Sequence, residues 1–284
     1  MEILLNPGMI PSFMGGLGNQ AFILVAAYIA SKIKNCPLYI LQNPLTNNKH
    51  NTNSIDYNNT LFKYFGKHID QEQNDHTKNI LYLNGYTVHS QPAINNETVF
   101  SPWNPSETIV GSIFTSYYQY YPPIKPLEEE IRQLMLKGLN EYSNKGFVDE
   151  PETTAFLHIR RGDYLNHPHI HYIQNETYYR NALDKLLEQN INIKTIKIFS
   201  DDIDWVRSLD FFKLPIFEIV HENDELKTLH IMSQCLGGAI CGNSTFSWWG
   251  AFLGAHAKRN PVIVPKNWIS LQIYSLFPDE WISI

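Results

Sequence analysis

Residues 154–164 read TAFLHIRRGDY: an apolar, β-branched strand from Thr154 to Ile159 that runs directly into two arginines, a glycine and an aspartate. Outward from it towards the C-terminus, strand and helix patterns alternate. Residues Thr177 to Leu187 carry Ala182, Leu183, Leu186 and Leu187 on one face, which predicts a helix. Thr195 to Phe199 alternates as a strand, Ile203 to Leu209 is a short helix, and Ile216 to Val220 is a strand. Asp224 to Cys235 is a helix with an acidic start and with Leu226, Leu229 and Met232 inward. Ala239 to Cys241, Phe246 to Ala255 and Val262 to Val264 continue as strand, helix and strand. Alternation sustained over about 110 residues predicts an α/β domain with a parallel, doubly wound sheet. Ligands of such sheets sit beyond the carboxyl ends of the strands, so the residues that follow each strand matter most.

On the N-terminal side, Ile131, Leu134, Met135 and Leu139 predict an amphipathic helix over Glu128 to Leu139. The polar run EYSNKGFVDEPET after it is a candidate linker. It divides the chain into domains 1–150 and 151–284, as 284 residues at roughly 150 per domain suggest. The Asn-rich region from Asn43 to Ser106 offers only short strand-like pieces such as Ile80 to Leu83, and runs like Asn47 to Asn53 read as surface loops. One sharp feature precedes it, MGGLGNQ at residues 14–20, followed by a helix from Ala21 to Lys34. Gly16 and Gly18 suit a loop-to-helix phosphate cradle, because glycine lets backbone approach a ligand closely. The stretch matches neither GxGxxG nor the ending of a P-loop, and a tight packing turn is the alternative.

Composition narrows the classes. With 22 basic and 28 acidic residues the net charge is −6, which argues against a nucleic-acid partner or binding to an anionic membrane. Hydrophobic residues at 43% support a sizeable core. Cys36, Cys235 and Cys241 form no CxxC pair, which excludes a disulfide framework and a plain zinc site. The longest apolar run, Ala21 to Ala30, is far short of the roughly 20 residues of a membrane span. No secretory signal is evident, so a cytoplasmic protein is expected, and the N-x-S/T sequons at Asn58, Asn96, Asn175 and Asn243 carry no weight.

Three strand ends converge in the expected sheet: His158 to Tyr164, Ser200-Asp201-Asp202, and Gly242-Asn243-Ser244-Thr245-Phe246 leading into a helix. Two guanidiniums and a helix N-terminus flanked by hydroxyls suit a phosphate or diphosphate. Carboxylates beside them suit the donor edge of a purine or a sugar hydroxyl. The plainer alternatives are salt bridges of Arg160 and Arg161 with Asp163, Asp201 or Asp202, and simple N-capping by Ser244 and Thr245. The RGD at Arg161 to Asp163 abuts a buried strand and is not read as an adhesion motif.

Taken together, GGLGNQ, HIRRGDY, FSDD and NSTFSWWGAFL resemble glycosyltransferase family 11, the α-1,2-fucosyltransferases, and more weakly the wider α-1,2-, α-1,6- and protein O-fucosyltransferases. Gly111 to Ser116, Tyr120 and Ile131-Arg132 resemble a further segment of that family, with Thr115 in place of its usual Gln. Departures are Ala21-Phe22-Ile23 after Gln20, and Phe252 in place of a common Trp.

The resemblance implies a GT-B architecture, two facing Rossmann-like domains with the nucleotide in the C-terminal one and the acceptor on the N-terminal side. It implies inverting, metal-independent transfer of L-fucose from GDP-β-L-fucose to the 2-hydroxyl of a galactose in a glycan acceptor, with no cofactor. Arg160 matches the essential arginine, and Arg161 orients it or contacts phosphate. Ser244, Thr245 and Phe246 hold the phosphates, and His158 contacts the nucleoside. Asp201 is favoured over Asp202 for guanine. Asp163 is a candidate base or a structural carboxylate. Asn19 holds the fucose or diphosphate. Trp248 and Trp249 are a sugar-stacking platform or core. Rival readings are another GDP-sugar transferase on the same frame, a non-catalytic sugar-binding protein, and a metal-dependent enzyme using Asp202 and Asp204.

Overall fold

The computed structural model describes residues 6–41, 55–69, 86–90, 102–143, 146–270 and 275–284. The chain forms two compact units, Met1–Tyr142 with Ile273–Pro278, and Ser143–Gln272 with Asp279–Ile284. The Asn47 to Asn53 run, the strand-like Ile80 to Leu83 and the sequon at Asn96 lie outside the described residues.

The first unit begins with β1 (Met9–Pro11) and α1 (Leu17–Lys34), followed by short strands β2 (Tyr39–Leu41), β3 (Lys67–Ile69), β4 (Thr87–His89) and β5 (Ser112–Phe114), and by α2 (Glu128–Tyr142). Its strands pair in parallel, in the order β1-β5-β4 and as the pair β2-β3. Helix α1 is buried from Leu17 to Ser31 except at Asn19, as expected of a helix apolar all round. It starts four residues earlier than its sequence pattern suggests, because Gly16 serves as N-cap and Gly18, Asn19 and Gln20 join the first turn. It ends at Asn35 in the left-handed conformation, whose N–H closes on Ser31 and Lys32 carbonyls. Helix α2 opens on Glu128, Glu129 and Glu130, where the helix dipole favours negative charge, and buries Ile131, Met135 and Leu139. It continues through Tyr142, so the first two residues of the expected linker are helical.

The second unit alternates β6 (Thr154–Ile159), α3 (Glu176–Gln189), β7 (Thr195–Ser200), α4 (Ile203–Ser208), β8 (Phe217–Ile219), α5 (Glu225–Gln234), β9 (Gly238–Ile240), α6 (Thr245–Leu253), β10 (Val262–Val264) and β11 (Ile282–Ser283). All pairings are parallel, in the order β11-β10-β9-β6-β7-β8. Parallel neighbours need crossovers, and the helices supply them. Strand β6 is central and every residue in it is buried, which is why its sequence is an unbroken apolar run rather than an alternating one. Helix α3, capped by Asn175 through Tyr178 N, turns Tyr178, Tyr179, Ala182, Leu183 and Leu186 onto the core that includes Ala155, Leu157, Ile196 and Ile198. Because the chain proceeds from β6 to β7 and β8 on one side and returns to β9 on the other, the strand order reverses between β6 and β9. The carboxyl ends of those two strands therefore flank the switch point at which doubly wound sheets bind ligands.

The α/β class with parallel sheets agrees with the sequence expectation. Trp248 and Trp249 are 0% and 1% exposed, with Trp248 stacked on Phe252. This corrects the sugar-stacking alternative: α6 lies so deep that both indoles are core. Among the described residues no helix is long and apolar enough to cross a membrane. The sequon side chains are occupied structurally, since Asn243 donates to the Tyr172 and Trp268 carbonyls and Asn58 to the Leu41 carbonyl, while Asn175 is the helix cap.

Candidate active site

Strand β6 delivers Arg160, Arg161 and Gly162 to the switch point, and the turn Asp163–Asn166 follows. Strand β7 delivers Asp201 and Asp202 beside them. The five charged side chains form one network. Arg160 places Nη2 2.6 Å from Asp163 Oδ1 and Nη1 2.9 Å from Asp201 Oδ2. The other oxygen of Asp201 accepts the backbone N–H of Arg161 at 2.8 Å. Arg161 donates through Nε to Asp202 Oδ2 at 3.0 Å, while Asp202 Oδ1 caps α4 by accepting Trp205 N. The guanidiniums lie over rings, Arg161 at 4.1 Å from Trp205 and Arg160 at 5.3 Å from Tyr164.

Gly162 leaves room for the Asp201 carboxylate. A Cβ there would lie 2.6 Å from Asp201 Oδ2, the atom that pairs with Arg160. Three carboxylates against two guanidiniums leave one negative charge in excess. Arg160 uses two of its five N–H groups in these ion pairs and its side chain stays 27% exposed.

Across the switch point, β9 runs through Gly242 and Asn243 to Ser244, the N-cap of α6, whose hydroxyl accepts Phe246 N. Asn243 amide hydrogens pin the loop by holding two carbonyls at 2.7 and 2.8 Å. Tyr164 donates to the Asn243 carbonyl at 3.1 Å, linking the arginine turn to the α6 loop, and its ring stacks on His171 at 3.8 Å. Burial pushes the Tyr164 hydroxyl up to about 12 and holds His171 below its ordinary value. His158 is buried with its ring 5.8 Å from Phe246, and its Nδ1 has no hydrogen-bond partner. Burial, and secondarily the Arg160 charge, lower its pKa to about 3, so the imidazole is neutral.

The remaining sequence candidates lie in the first unit. Gly16 caps α1, and Gly18 and Asn19 are in its first turn, with Asn19 N and Gln20 N bonded to the Gly16 carbonyl. Asn19 Oδ1 accepts Gln119 Nε2 at 3.0 Å. Gly18 thus lies in the first turn of α1, and the left-handed turn falls at Gly15, with φ +71°. Reading the sequence alone overlooks Gln119, Tyr164 and Asn243. Tyr164 and Asn243 sit inside the quoted motifs, whereas nothing local to Gln119 signals its partner. Among the described residues no group of three or more His, Cys, Asp or Glu side chains is placed to hold a metal ion.

A parallel sheet whose switch point carries paired arginines and a helix N-terminus has the chemistry to hold an anionic ligand. Residues 110–284 match the profile of glycosyl transferase family 11, and the chain belongs to that family. It is 30% identical over 181 residues to the O-antigen biosynthesis glycosyltransferase WbnK of Escherichia coli, covering 61% of this chain and 58% of that protein. It is 31% identical over 140 residues to an alpha-1,2-colitosyltransferase of Escherichia coli, covering 45% and 46%. The chain thus spans about half the length of the curated relatives it matches. Its fold is similar to that of POFUT1 solved in complex with GDP, with a TM-score of 0.50 at 13% identity over 92% of this chain and 99% of that one. The expected resemblance to family 11 and the expected α/β fold with parallel sheets are borne out.

Proposed function

We propose that this protein transfers L-fucose, with inversion, from GDP-β-L-fucose to the 2-hydroxyl of a galactose in a glycan acceptor. The observation that carries the reading is Arg160 at the end of β6, across the strand-order reversal from the N-terminus of α6. In the reaction the bond between fucose C1 and the GDP oxygen breaks and the acceptor O2 bonds to C1 from the opposite face. Charge grows on the diphosphate and on the sugar ring together. Arg160 stabilises the leaving diphosphate, and the amides and hydroxyls of Ser244, Thr245 and Phe246 at the helix N-terminus hold its oxygens, with Phe246 N leaving the Ser244 hydroxyl it meets in this structure.

Asp163 and Asp201 flank Arg160, so a diphosphate must displace a carboxylate from it. Asp163 is the one to yield: it is 46% exposed, whereas Asp201 is also held by Arg161 N. Released, Asp163 becomes available as the base that takes the acceptor proton. Asp201 accepts from the guanine N–H edge, Asp202 holds Arg161 in place, and neutral His158 contacts the nucleoside. Asn19 contacts the fucose or the diphosphate. In this reading residues 1–150 serve the acceptor, residues 151–284 bind the donor, and the chemistry needs no metal.

A second reading keeps the nucleotide and changes the sugar, as the relative named an alpha-1,2-colitosyltransferase favours. Incubation with a panel of GDP-sugars and galactose-terminated acceptors, with linkage determined by NMR, tests both. An α-1,2-fucosyl product supports the first reading. Turnover of a different GDP-sugar with GDP-fucose untouched supports the second, and no turnover of any donor counts against both.

A further inference from the structure

We infer that Tyr164 is a positioning residue that sets the spacing between Arg160 and the N-terminus of α6, an inference that rests on the proposed diphosphate reading of those two elements. Every residue it needs belongs to the second unit. The contacts of Tyr164 close on themselves. Its hydroxyl donates to the Asn243 carbonyl at 3.1 Å. Asn243 in turn donates through Nδ2 to the Tyr172 carbonyl at 2.7 Å. The neighbour of Tyr172, His171, lays its ring on that of Tyr164, with 3.8 Å between centroids and 8° between planes. A circuit of three links thus runs from the arginine turn to the α6 loop, on to residues 171–172, and back. Two anchors keep the circuit from drifting. Asn243 is 1% exposed and also holds the Trp268 carbonyl at 2.8 Å, and His171 forms an antiparallel bridge with Ile269.

One side chain in this way touches both halves of the anion site. Asn243 immediately precedes Ser244, the N-cap of α6, and the Arg160 guanidinium lies 5.3 Å from the centre of the Tyr164 ring. A diphosphate has fixed dimensions, so donors on two separate elements serve it together only when their separation is set beforehand. The ring has a second use once an anion arrives. Arg160 is held by Asp163 and Asp201, and Asp163 is the partner that yields. Its release leaves Asp201 and the aromatic face to keep the guanidinium in place. Burial holds the His171 pKa below its ordinary value, so a neutral ring supports Tyr164 and adds no positive charge beside Arg160. Tyr164 therefore acts through Arg160 and the α6 loop and is not itself a catalytic residue.

The test uses the full chain, with GDP as the probe of binding and GDP-fucose with a galactose-terminated acceptor as the probe of turnover. Tyr164→Phe keeps the ring and its stack and removes the hydroxyl. It is expected to lower kcat by ~10-fold, the scale of a small misplacement of a reacting group, with the KM for acceptor little changed. GDP affinity, read by calorimetry, should weaken by roughly 3- to 10-fold, and Tm should fall by only about 2–4 °C. His171→Leu removes the stacked ring and keeps the hydroxyl bond, and should shift kcat and GDP affinity in the same direction. In an Arg160→Ala background Tyr164→Phe should weaken GDP binding by less than about 2-fold, because residues acting as a unit are not additive. Wild-type kcat and GDP affinity in Tyr164→Phe, or an equal loss of affinity in both backgrounds, overturns the inference and leaves the activity reading standing. If Tyr164→Phe does not fold, His171→Leu decides by the same two readouts. A wild-type chain that neither binds GDP nor turns over any GDP-sugar, or Arg160→Ala at full rate and affinity, removes the reading of the site and this inference with it.

Discussion

The two places where this chain gathers its chemistry are built by different means. At the end of β6, Arg160 is held by opposite charges, with Asp163 and Asp201 on either side of one guanidinium. At the start of α1, Asn19 is held by a neutral amide from a buried residue. The charged cluster is partly exposed, which screens its ion pairs and lets a partner be exchanged at modest cost. The neutral pair offers nothing for an anionic ligand to displace. On the proposed reading, in which Arg160 takes up a diphosphate, its partners are thus kept exchangeable.

The largest effect expected at the charged cluster is from Arg160→Ala. Loss of the charge proposed to stabilise the leaving diphosphate should cost about 3–4 kcal/mol of barrier, a drop of about 10²–10³-fold in kcat with little change in Tm. Near-normal turnover in a folded Arg160→Ala protein would mean that the ion pairs of Arg160 are its whole role.

His158 tests how burial rather than charge sets this edge. Burial lowers its folded pKa to about 3 from the ordinary value of 6.5. The unfolded chain takes up a proton as pH falls below the unfolded value while the folded imidazole stays neutral. Stability is therefore full above about pH 6.5, is lost progressively as pH falls towards 3, and levels off below that, a loss on the order of 5 kcal/mol. His158→Gln should flatten that part of a Tm–pH curve, and an unchanged curve would place the acid sensitivity in other buried histidines.

Asp201→Ala should weaken GDP binding by roughly 1.5–3 kcal/mol for each charge-assisted bond lost. It should also blur the preference for GDP over ADP and UDP, read by calorimetry. Preference that survives in Asp201→Ala and vanishes in Asp202→Ala would exchange the two roles. The smallest expected effect is that of EDTA, which should leave turnover unchanged. Activity killed by chelation and restored by Mn²⁺ would favour a metal held at Asp202 and Asp204.

The second unit was legible because its two longest strands and the helices between its strands are long enough for their periods to register. β6 and β7 are six residues each, and the helices between strands bury regular apolar faces. Its three-residue strands β8, β9 and β10 show no alternation either, but β8 and β9 lie between helices and β10 follows one, so the helix periods mark them off. By contrast, β2 to β5 of the first unit have no helix longer than one turn between them among the described residues. The start of α1 was misplaced because Gly16 caps without any side-chain bond to announce it.

By themselves, the residues determined that the chain carries a parallel α/β unit with arginines, aspartates and a helix start at its strand ends, because strand and helix periods are local properties. Tertiary structure alone decided which aspartate takes which nitrogen of Arg160, and that the two tryptophans of α6 are core. It also decided that Gln119 meets Asn19. Those outcomes depend on which distant segments pack together, and no local period records a contact made across 100 residues.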